Sequence, residues 1–154
     1  QEFRPLAEQG DANAQFNLGF MYDNGKGVPE NDAEAAKWHR KAAEQGDVMA
    51  QYSLGGMYFR GEGVSQNFTE AVKWFRKAAE QGDAYAQVNL GFMYGTGEGV
   101  PMNYVKAYMW YSLAKAQGNE DAAKGLYIIE KEMNTDQIAK AQALAAKWWD
   151  KINN

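Results

Sequence analysis

The chain has no cysteine, one histidine and three prolines among its 154 residues. Without cysteine there is no disulfide, no thiolate zinc site and no thiol nucleophile. One histidine leaves little for imidazole metal ligation or acid–base catalysis. No run of about 18 apolar residues occurs, so no segment reads as a membrane-spanning helix. A basic excess is missing too. Lys and Arg number 16 against 20 Asp and Glu, a net charge of −4, which argues against general affinity for nucleic acid or anionic membranes. What is present can fold: 45% of the chain is apolar and 14% aromatic, too much for a disordered segment. No nucleophile, base and orienting group can be placed together, so no catalytic residue, cofactor or metal site is expected.

The sequence repeats itself. Ala7-Glu8-Gln9-Gly10-Asp11 returns at Ala43–Asp47 and at Ala79–Asp83, and Gln117-Gly118-Asn119 is a weaker fourth copy. The period is 36 residues, and well over half of the positions in 7–42 recur in 43–78. All but three of the 16 glycines keep that register, so glycine here marks a backbone geometry needed once per repeat.

Each period holds two helical stretches. Ala14, Leu18, Met21 and Tyr22 lie on one helical face. Asp11, Asp47, Asp83 and Asn119 precede equivalent stretches as N-caps, and Gly25-Lys26-Gly27 closes the first one. Asn31 with Glu34, and Asn67 with Glu70, open the second helices in a pattern similar to a capping box. The second helix then runs through Ala35, Trp38, His39 and Ala42. A lone hairpin of this kind cannot bury its apolar faces, so neighbours must stack. The expected fold is all-α: a right-handed superhelical α/α solenoid of roughly eight helices. Ala14, Gly19, Ala35 and Ala42 would permit close helix approach. We expect one repeat domain over 1–154, with a partial N-terminal helix at 1–10, units at about 11–46, 47–82 and 83–118, and a capping unit at 119–154 carrying Trp148-Trp149. The start inside a helix is what a piece of a longer or processed protein would show.

Ala14-Gln15-x-x-Leu18-Gly19-x-Met21-Tyr22-x-x-Gly25-x-Gly27-Val28, followed by Glu34-Ala35-x-Lys37-Trp38-x-Arg40-Lys41-Ala42, resembles the Sel-1-like repeat family, a relative of the tetratricopeptide repeat. The pattern recurs at 50–78 and less completely at 86–114, where Met109 and Ser112 replace Lys and Arg. Met133-Asn134-Thr135-Asp136-Gln137 is similar to the terminal helix of bacterial members. The resemblance implies a non-catalytic adaptor that holds a protein or peptide, and it favours the bacterial periplasm or secretion; the lack of cysteine fits the cytoplasm equally.

A partner would be read by positions where the repeats differ. Asn13, Phe16, Asn17, Phe20 and Asn24 form a second stripe on the first helix, at spacings that keep them on one side. Their equivalents are Met49, Tyr52, Ser53, Gly56 and Arg60, then Tyr85, Val88, Asn89, Phe92 and Thr96. In a tetratricopeptide-like superhelix this side lines the concave groove, and the implied site has aromatic anchors with Asn amides for an extended main chain. Phe16, Tyr52 and Val88 read equally well as packing against the preceding repeat's second helix. Phe20 and Phe92 are expected to be exposed, because Gly56 takes the same place in the second repeat.

Other features read as structure. The Gly-x-Gly turns lack the strand-then-helix context of a phosphate loop. His39 stands where Phe75 and Tyr111 stand, as aromatic packing with a polar edge. The basic row Lys37, Arg40, Lys41 and Lys73, Arg76, Lys77 is expected to be self-paired through Arg40–Glu44 and Arg76–Glu80. Asn67-Phe68-Thr69 fits the glycosylation pattern but holds a helix-cap position. The partner expected is a protein or peptide, with no nucleic acid and no membrane insertion. The alternative is a structural spacer that self-associates through its terminal faces.

Overall fold

A computed structural model describes residues 3–154. Among these the chain forms nine helices and no strand: α1 (Phe3–Glu8), α2 (Ala12–Asn24), α3 (Asp32–Glu44), α4 (Val48–Arg60), α5 (Phe68–Glu80), α6 (Ala84–Thr96), α7 (Tyr104–Ala116), α8 (Glu120–Glu130) and α9 (Thr135–Asn153). The ninth relative to the expected eight is the partial N-terminal helix; Gln1 and Glu2 lie outside the described residues. The fold is an all-α array of helix–turn–helix repeats. It divides into two compact units, the first ending at Trp74 and the second beginning at Phe75, within α5.

The helix ends follow from local chemistry. The side chains of Asp11, Asp47, Asp83 and Asn119 accept from backbone N–H groups three residues on, in α2, α4, α6 and α8. Burial pushes the Asp83 carboxyl above its usual range, while the Ala86 N–H bond pulls the other way. Gly25, Gly61 and Gly97 close α2, α4 and α6 in the left-handed conformation, which a Cβ would strain. The capping-box expectation at Asn31 and Asn67 is half met. Each side chain accepts from the N–H three residues on. The reciprocal half is absent because the Asn31 and Asn67 N–H groups donate to the carbonyls of Tyr22 and Tyr58, and Glu34 turns to Lys37. The full box forms in α9, through Asn134 and Gln137.

In the first unit Ala7, Ala14 and Leu18 pack α1 on α2, with Met21, Tyr22 and Trp38 around them. Ala42, Ala43, Ala50, Leu54 and Trp74 form the adjoining core. Small residues set the approach: a Cβ on Gly19 would stand 2.8 Å from the His39 ring. Phe3 and Leu6 of α1 are 36% and 50% exposed, although His39 and Ala42, one period on, are sealed from solvent. In the second unit Gly91 and Gly125 both abut the Tyr111 ring. Trp148 of α9 lies 5.2 Å, centroid to centroid, from Trp110 of α7, so the final helix covers α7.

Two sets of polar rungs recur inside this frame. Gln15, Gln51 and Gln87 are buried, and each donates to a carbonyl eight residues earlier, of Ala7, Ala43 and Ala79. Gln45 bridges Gly10 and Gln15, and Gln117 bridges Gly82 and Gln87. The guanidinium groups of Arg4, Arg40 and Arg76 donate to the hydroxyls of Tyr22, Tyr58 and Tyr94. The expected Arg40–Glu44 and Arg76–Glu80 pairs are therefore corrected. Each arginine reaches across to the tyrosine 18 residues on and lies over its ring, a partner on the next hairpin's first helix that same-helix spacing cannot reveal.

Candidate partner-binding surface

The variable stripe lies on the first helix of each hairpin, displaced from the buried face that α3 or α7 covers. In the first unit Asn13, Phe20 and Asn24 of α2 are exposed, while Phe16 and Asn17 are half-buried. Phe16 rests on the Ala42–Leu54 core and tilts against His39 at 5.4 Å. Its support thus includes its own hairpin's second helix and the next hairpin's first. Phe20, 45% exposed, carries the Lys26 ammonium 5.6 Å from its ring centroid.

The amides of this stripe are held in place. Asn17 Nδ2 donates to the Asn13 carbonyl at 2.9 Å, and Asn24 Nδ2 to that of Phe20 at 2.8 Å. An amide has two N–H donors and a carbonyl acceptor; Asn17 Nδ2 also lies 3.4 Å from Asn13 Oδ1, so both side chains keep their oxygen for a ligand and Asn24 keeps one N–H as well. On α4, Met49 is exposed, and Tyr52 and Ser53 are half-buried. Arg60 pairs with Glu62 at 3.0 Å. Gly56 stands in the place of Phe20, and a Cβ there would come within 3.0 Å of Arg60 Nη1. The glycine makes room for a guanidinium where the first repeat has a phenyl ring.

In the second unit Tyr85, Phe92 and Thr96 of α6 are exposed, and Val88 and Asn89 half-buried. Thr96 Oγ1 donates to the Phe92 carbonyl at 3.0 Å. Sequence reasoning missed the continuation on α8, which packs beside α6. Ile128, one period after Phe92, is 65% exposed, and Tyr127 beside it carries the Lys131 ammonium 4.3 Å from its ring centroid. Extending the 36-residue register one step further would have found Ile128. Tyr127 takes the place of the close-approach glycines, which hid the likeness.

His39 is sealed, with Nε2 2.7 Å from Asp23 Oδ2, and Nδ1 has no hydrogen-bond partner among the described residues. A ring closed off from solvent cannot meet a substrate. No group of three or more His, Asp or Glu among the described residues is arranged to hold a metal ion. No described helix is long and apolar enough to cross a membrane.

Helical hairpins repeated every 36 residues, with a buried invariant frame and a variable stripe, define an α-repeat protein of the kind that generally serves as a protein-interaction module. The Sel1 repeat profile matches residues 12–47, 48–83 and 84–119, and the chain belongs to the Sel1 repeat family. The Sel1 repeat protein of Oxalobacter formigenes is 44% identical, with a TM-score of 0.76 over 82% of this chain and 95% of that one. The protective antigen c5321 of uropathogenic Escherichia coli, which displays an SLR fold, is 31% identical with a TM-score of 0.77. That match spans 97% of this chain and 40% of the antigen. Helicobacter pylori cysteine rich protein B shares the fold at 24% identity and a TM-score of 0.62, over 78% of this chain and 92% of that one. No curated protein matches the chain. Members of the family are typically non-catalytic scaffolds.

Proposed function

We propose that this chain is a non-catalytic adaptor whose first-helix stripes hold a protein segment: Asn13, Phe16, Asn17, Phe20, Asn24, Met49, Tyr52, Ser53 and Arg60 in the first unit, and Tyr85, Val88, Asn89 and Phe92 in the second. One observation carries the reading. Phe20, Phe92 and Ile128 stand at one repeat position and are 45%, 42% and 65% exposed, while the large residues of the frame around them are buried. Exposed apolar side chains in register, rimmed by polar ones, mark interaction surfaces rather than cores. Aromatic anchors supply the affinity, and amides such as Asn17 and Asn24, fixed by their own helix, meet a main chain at low entropic cost.

The test is a pull-down from source-cell extract, wild type against Phe20→Ala/Phe92→Ala, read by mass spectrometry. A protein held by wild type and lost by the variant is expected, with the melting temperature of the variant little changed. A large fall in melting temperature would place these rings in the core and end the reading. Self-association is the second reading, and it rests on the exposed Phe3 and Leu6 of α1. A strictly monomeric mass by light scattering at high concentration sets it aside.

A further inference from the structure

We propose that the outer side of α3 is a second binding site, distinct from the first-helix stripe, and that it takes an acidic protein segment carrying a small apolar side chain. A groove of about 340 Å³ runs there between α3 and the turn before α5. Its floor is Ala33, Ala36 and Val64, and its charged wall is Lys37, Arg40, Lys41 and Glu44.

The row would be inert if its cations were neutralised by their own helix, as the sequence spacing suggests. The structure distributes them otherwise. Arg40 is held by the neutral Tyr58 hydroxyl and ring, and the Lys41 ammonium stands 5.6 Å from the Trp38 ring centroid. Among the described residues, Lys37 alone of the three pairs with a carboxylate, Glu34 at 3.2 Å, in an exposed pair of the kind that contributes little and exchanges readily. The groove thus lines itself with three cations and one anion in a chain whose net charge is −4. Tyr58 fixes the Arg40 fork in advance, which lowers the cost of binding a carboxylate.

The repeat register adds a second argument. On α7 the places of Lys37, Arg40 and Lys41 are taken by Met109, Ser112 and Leu113. Leu113 faces Trp149 and Ile152 of α9, so this side of a second helix is one on which another helix docks. Where it is apolar the chain covers it itself; on α3 it is basic and open. Three cations beside two carboxylates, Glu34 and Glu44, suit a few acidic side chains better than a phosphate backbone, whose affinity grows with many neutralised charges.

The test is a ¹H–¹⁵N titration of the full chain with three probes: a Glu-Glu-Leu repeat peptide, its Gln-Gln-Leu counterpart, and oligo-dT. The expected result is binding of the acidic peptide with shifts at Lys37, Lys41 and Val64, weakened about tenfold or more by Lys37→Glu/Lys41→Glu and unaffected by Phe20→Ala. The milder Lys37→Gln/Lys41→Gln pair should lie between the two. Equal binding by the Gln-Gln-Leu peptide, tighter binding of oligo-dT, shifts confined to α2 and α4, no binding at all, or full affinity in the charge-reversed variant would each overturn the proposal. Loss of Phe20-dependent capture with this binding intact would sink only the stripe reading.

Discussion

Tyr111 shows how a single residue in the repeat frame acquires its own chemistry. It stands where His39 and Phe75 stand, abuts Gly91 and Gly125, and burial pushes its phenol up from 10.0 to about 12. The unfolded chain ionises this group as pH rises through about 10, whereas the folded chain holds the proton until about pH 12. In that window the folded state binds more protons, so stability falls as pH rises. Tyr111→Phe should therefore lose less stability than wild type between pH 10 and 12, measured as urea midpoints across that range. Parallel curves would mean that the phenol is solvated. His39 is the polar counterpart in the first hairpin. There Asp23 supplies an acceptor, while Phe59 and Gly95 stand at the equivalent positions.

At the scale of the element, each hairpin depends on its neighbours. Leu54 of α4 is fully buried among Ala42, Ala43, Ala50 and Trp74, side chains from α3, α4 and α5. Leu54→Ala should cost about 2–5 kcal/mol by chemical denaturation; an unchanged midpoint would contradict the stacking register. Caps, turns and the 36-residue spacing were legible in the sequence because they depend on residues within a turn or two of one another. The Arg–Tyr and Gln rungs were not, although both recur every 36 residues. Arg40 has Glu44 one turn away, and only the placement of α3 against α4 makes Tyr58 the nearer partner. The buried glutamines likewise show their role only where the carbonyls of Ala7, Ala43 and Ala79 lie beside them.

For the molecule as a whole, an open repeat array must be closed at an end, and here α9 closes the second unit. Trp148 packs on Trp110, whereas Trp149 remains 39% exposed. Trp148→Ala should lower stability by up to about 3 kcal/mol and Trp149→Ala by clearly less, compared by urea denaturation. Equal losses would mean that both rings serve the cap alike. The family, the helix–turn–helix repeat, the N-caps and the exposure of Phe20 and Phe92 followed from sequence alone, because periodicity and local hydrogen bonding are properties of the chain. Tertiary structure alone decided which charges neutralise which, that Phe16 leans on its own hairpin, and that Arg60 fills the space left by Gly56. Each of these depends on distances between helices, and helix spacing is set by packing across the array.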